Sequence, residues 1–92
     1  MIIEGVYLED GNNSITRVKN WSYFYSERAS KESEYSYVLV IDAEGRKHFV
    51  TACRHYQLGN VFRNLEKQIT DQISKGIRED EVVIRSPSKK SN

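Results

Sequence analysis

The chain carries one cysteine, one proline, no clear excess of either charge and no long apolar run. Each shortage removes a class of protein. With Cys53 alone, no intrachain disulfide framework can form, so a small fold has to be held by its core. No stretch reaches the ~18 consecutive apolar residues of a membrane-crossing helix. The opening Met1-Ile2-Ile3-Glu4 puts an acid where a signal peptide would continue its apolar run. The expected location is therefore the cytoplasm. In that compartment the sequons at Asn12 and Asn20 are chance matches. Fourteen basic residues against thirteen acidic ones leave a net charge of +1. Proteins that live on phosphate contacts usually show a marked basic surplus, so this balance counts against nucleic acid as the first partner.

Recognisable catalytic patterns are also missing. There is no Gly-rich phosphate loop, Ser-centred elbow or kinase-like signature. Cys53 and His55 are spaced to meet as nucleophile and base, yet no acid follows at a spacing that would orient the histidine. A lone cysteine is more often a small buried apolar residue. A structural zinc site wants four ligands in spaced pairs, and strict strand alternation sends His48 and Cys53 to opposite faces. The acidic clusters Glu9-Asp10, Glu32/Glu34 and Glu79-Asp80-Glu81 fall in turns and loops, where solvated charge is ordinary. The expectation is a protein with no enzymatic activity, no cofactor and no metal.

What is present fits one small domain over residues 1–85, followed by a disordered tail at 86–92 that carries Lys89 and Lys90. Six Tyr, three Phe and one Trp concentrate where strands are expected. Residues 2–8 and 14–19 form a first hairpin around the turn residues Asp10, Gly11, Asn12 and Asn13. Residues 21–26 form an aromatic strand with Trp21, Tyr23 and Tyr25 on one side. Residues 27–34 are charged, without apolar period, and read as an exposed loop. Residues 35–41 and 46–52 form a second hairpin whose loop ends on Gly45, suited to a left-handed position. Leu58, Val61, Phe62, Leu65, Ile69, Ile73 and Ile77 then draw one apolar stripe of a long helix starting near Tyr56 or Asn60. Gly76 and Ile77 suit a Schellman-type end. Val82, Val83 and Ile84 suit a short edge strand.

These elements predict an α+β fold: an antiparallel sheet of about five strands, curled or barrel-like, packed by one long C-terminal amphipathic helix. The order Tyr37-Val-Leu-Val-Ile-Asp-Ala-Glu-Gly45, return strand and amphipathic helix resembles the back half of bacterial pleckstrin-homology-like domains. The resemblance covers roughly half the chain and contains no diagnostic motif. Fewer strands precede it than a complete barrel of that type holds.

Trp21, Tyr23 and Tyr25, extended by Tyr35 and Tyr37, have two competing uses. The helix stripe must bury itself, and the face richest in aromatics is its natural partner, which favours a core role. The other sheet face, grouping Val38, Val40 and Phe49, then needs closure of the sheet or a second copy to cover it. Alternatively the aromatics, interleaved with Arg17, Lys19, Arg46 and Lys47, form a binding surface. Tyr, Trp and Arg concentrate at protein interfaces, and aromatic rings beside cations also stack on single-stranded nucleic acid. The functional expectation is a non-enzymatic interaction module that binds another macromolecule, with a protein, self or other, ahead of nucleic acid. A homodimer is one form of it. No small-molecule site is evident, and Arg85 with the tail lysines offers only weak electrostatic contact.

Overall fold

The computed structural model describes residues 1–6 and 13–86. Within them lie β1 (Ile2–Val6), β2 (Asn13–Arg17), β3 (Trp21–Arg28), β4 (Tyr35–Asp42), β5 (Lys47–Arg54), α1 (Leu58–Ser74) and β6 (Val83–Arg85). The first hairpin's turn, Glu9-Asp10 and the tail with Lys89 and Lys90 fall outside the described residues. The class is α+β, as the periodicities require. The strands divide between two three-stranded sheets, ordered β2-β1-β6 and β3-β4-β5, and neither closes on itself.

The β3-β4-β5 sheet is an antiparallel meander. In the other sheet β1 pairs antiparallel with β2 and parallel with β6. A parallel neighbour needs a long crossover, and the chain from β2 through α1 supplies it. Where the chain passes between sheets, Asn20 takes a left-handed φ of 54°, which asparagine tolerates better than most side chains. Its carbonyl accepts from the amide of Ala43 at 2.8 Å, tying that passage to the β4–β5 turn. That turn has Gly45 at φ 83°, and the Gly45 amide donates to the Asp42 carbonyl at 2.9 Å. Strand β3 runs on through Glu27 and Arg28, residues whose charge had suggested loop.

One 3₁₀ turn, His55–Gln57, leads into α1, and no side chain caps the helix start. Asn60 instead accepts from the Arg63 guanidinium one turn on. The helix end follows the expected Schellman pattern. Gly76 has φ 94°, its amide donates to Ile73, and the Ile77 amide reaches back to Gln72 at 3.1 Å.

A single core joins all these parts. Met1, Ile3, Val18, Val38, Val40, Val50, Cys53, Leu65, Ile69, Val82 and Ile84 are buried together, with Trp21, Phe24, Leu58, Val61 and Phe62 packed against them. The helix stripe is covered only in part, since Ile73 and Ile77 stay exposed.

Two helix glutamines finish the outer edge of β6. Gln72 accepts from the Val83 amide at 2.9 Å and donates to the Val83 carbonyl at 2.6 Å. Gln68, one turn earlier, does the same for Arg85 at 2.9 and 3.0 Å. A carboxamide presents one donor and one acceptor, as a neighbouring strand would. The edge strand is thereby paired without another strand.

Candidate functional site

The inner and outer faces of the β3-β4-β5 sheet are decided by two bulges. On β3, Trp21 pairs with Asp42 but Tyr23 pairs with Ile41, so Ser22 is the extra residue. On β5, Thr51 pairs with Val38 but Phe49 pairs with Leu39, so Val50 is extra. Each extra residue reverses the side-chain alternation beyond it. Phe24, Val38, Val40, His48, Val50 and Cys53 consequently share the inner side with Trp21 and Asp42.

Unbroken alternation fails here in three ways. Trp21 parts from Tyr23 and Tyr25: its ring packs 6.3 Å from that of Phe24, and its Nε1 donates to the Glu79 carbonyl at 3.1 Å. Phe49 parts from Val38 and Val40 and joins the tyrosines. His48 and Cys53 fall on the same side, where alternation had separated them.

The helix and the second sheet lie on the inner side, so the aromatic face is not the helix's partner. Val38 and Val40 are the ones covered, and no second copy is needed to bury them. Left outside are Tyr23, Tyr25, Tyr35, Tyr37 and Phe49, each 41–56% exposed. Tyr37 and Phe49 meet edge to face at 5.9 Å, a favoured ring geometry. The Lys47 ammonium lies 5.7 Å from the Tyr25 ring centre and the Arg54 guanidinium 5.2 Å from that of Tyr35, within reach of cation–π attraction. Both cations also meet carboxylates: Lys47 pairs with Glu27, and Arg54 lies 3.5 Å from Glu34. Those carboxylates lower the charge of a surface that aromatics dominate.

The remaining predicted cations sit elsewhere. Arg17, Lys19 and Arg46 line an open hollow of about 470 Å³ together with Asn20, Asp42, Glu44 and His48. Asp42 organises its floor. One carboxylate oxygen accepts from the amides of Glu44 at 2.9 Å and Arg46 at 3.0 Å, while the other meets His48 Nε2 at 2.9 Å. The His48 hydrogen bond, then the two amides, hold the Asp42 carboxyl below the usual carboxylate range despite its burial. The seven predicted residues thus divide into three places: Tyr23, Tyr25 and Lys47 on the outer face, Arg17, Lys19 and Arg46 at the hollow, and Trp21 against the core. Phe49 and Arg54 complete the outer face and were not read as part of it: the Val50 bulge has no sequence signature, and the expected strand ended at residue 52, short of Arg54.

The chemistry considered for Cys53 finds no support. Burial pushes its thiol up from the usual value, the reverse of what an activated nucleophile needs. His55 Nδ1 faces Ser36 Oγ at 3.3 Å. Among the described residues, no group of three or more His, Cys, Asp or Glu could hold a metal ion. Glu32, Glu34 and residues 79–81 are exposed, and Arg85 pairs with Glu4 at 2.8 Å. No helix among the described residues is long and apolar enough to cross a membrane.

No family model matches the chain, and neither a curated protein nor a solved structure matches it.

Proposed function

We propose that this protein is an interaction module that docks a protein partner on the outer face of the β3-β4-β5 sheet. The observation that carries the reading is five aromatic side chains left exposed on one side of one sheet. At their exposure, and with ~150–250 Å² buried by a typical ring, they present on the order of 500 Å². A standard interface buries ~800 Å² on each partner, so these rings alone would supply more than half of one. Tyrosine is among the residues that most often anchor such interfaces.

The balance of charge favours protein over nucleic acid. A face that tracks phosphates needs cations free to displace counterions. Lys47 and Arg54 are each beside a carboxylate and an aromatic ring, so little positive charge is left to offer. A second copy of the chain is one partner of the right kind.

The test uses a variant with Tyr37→Ser and Phe49→Ser. Proteins captured by the natural chain are compared with those captured by the variant, and sedimentation velocity over a concentration series reports self-association. Loss of a bound protein, or of a dimer, in the variant alone supports the reading. Equal capture by both chains, with both monomeric throughout, sinks it. Salt-sensitive binding of single-stranded oligonucleotides that disappears in the variant would replace it with the nucleic-acid reading.

A further inference from the structure

The hollow beside Asp42 is a second, separate feature. Asp42 and His48 point to the inner side of the sheet, whereas the docking face is the outer side. Three segments meet there: the end of β2 brings Arg17, the left-handed turn brings Lys19 and Asn20, and the β4–β5 turn brings Arg46.

Three cations, Arg17, Lys19 and Arg46, face two carboxylates, Asp42 and Glu44, around the hollow, a formal surplus of one positive charge. Both Asp42 oxygens are already engaged, by two amides and by His48. Glu44 is engaged by Arg46 at 3.0 Å. Among the described residues, Arg17 and Lys19 have no carboxylate within ion-pair distance. Two cations without an ion-pair partner, from different segments, therefore border one concavity that Asn20 also lines.

We infer that this hollow binds a phosphate monoester or phosphate ion through Arg17 and Lys19, the two cations there that hold no carboxylate among the described residues. Near neutral pH such a group carries close to two negative charges and three acceptor oxygens. The Arg17 fork serves two of those oxygens, and the Lys19 ammonium serves the third as a point charge. A planar carboxylate, with two oxygens, reaches fewer donors from different directions than a tetrahedral phosphate group does. At about 470 Å³ the space exceeds a phosphate group, so atoms of whatever carries it also fit.

The experiment titrates isotopically labelled full-length protein with inorganic phosphate and, separately, with phosphoserine, at neutral pH and low ionic strength. Amide resonances report the binding position. Saturable shifts confined to residues 17–20 and 42–48 are expected, together with weakening at raised salt. In R17A/K19A, affinity falls about tenfold or more. Both side chains are exposed, and an unchanged spectrum elsewhere confirms that this variant is folded. R46A gives a second check with a smaller loss. Tighter binding of inorganic phosphate would identify a free ion as the ligand, and tighter binding of phosphoserine a phosphorylated side chain. The Tyr37→Ser and Phe49→Ser variant keeps the same shifts, which separates this site from the docking face. No saturable shift with either probe, shifts centred elsewhere, or undiminished affinity in R17A/K19A overturns the inference.

Discussion

Asp42 shows how much one side chain can organise. It ends β4, fastens the following turn through two amides and orients His48. Its carboxyl is held below the ordinary range, chiefly by the His48 hydrogen bond and then by the amides. A depressed folded-state value means that the ionised form is favoured by folding. The resulting stability is fully present above the unfolded value, near ~4, and drains away as pH falls through the folded value. Melting temperatures measured from pH 6 downward should therefore drop more steeply in the natural chain than in D42N. Parallel curves would mean that this carboxylate contributes no acid-side stability. The sequence marked Asp42 only as a turn residue, since its link to His48 depends on which way two strands face.

At the scale of elements, propensity and periodicity located the helix, both hairpins and the two glycine positions. Gly45 and Gly76 both take positive φ, the conformation expected of them from the hairpin loop and the helix end. The pairing of β6 was not legible in the same way. Gln68 and Gln72 read as ordinary polar helix residues, and only the packing of α1 beside β6 gives their amides a strand to complete. Gln72→Leu keeps the bulk but removes both bonds to Val83, leaving a half-buried amide and carbonyl unpaired. A loss of about 1–2 kcal/mol in unfolding free energy is expected from denaturant titration. The Val83 amide should also exchange faster with solvent. An unchanged midpoint and unchanged exchange would show that the glutamines contribute nothing to the edge.

Over the whole molecule, the two faces of the β3-β4-β5 sheet differ in burial. Leu65 is fully buried among residues of both sheets, and Leu65→Ala should cost about 3 kcal/mol, the usual result of opening a cavity in a packed core. Tyr37→Ser with Phe49→Ser removes two half-exposed rings that meet edge to face. It should lower stability by about 1–2 kcal/mol, from the ring pair and the covered part of each ring, less than the loss at Leu65. Thermal unfolding of both variants checks this contrast. A collapse of the double variant would mean that the outer aromatics belong to the fold and not to a docking surface.

The sequence by itself determined the class of fold, the existence of nearly every element and the choice of aromatics worth following. Those features rest on local forces: apolar spacing along a helix, alternation along a strand and the backbone freedom of glycine. Tertiary structure alone decided how the strands divide between two sheets and which sheet face the helix covers. It also decided which residues stand together. The physical reason lies in Ser22 and Val50. One extra residue in a strand turns over every side chain beyond it, and neither a serine nor a valine announces a bulge. That reversal sent Trp21 to the core, brought Phe49 out beside Tyr37, and set His48 on the side where Arg17, Lys19 and Arg46 gather.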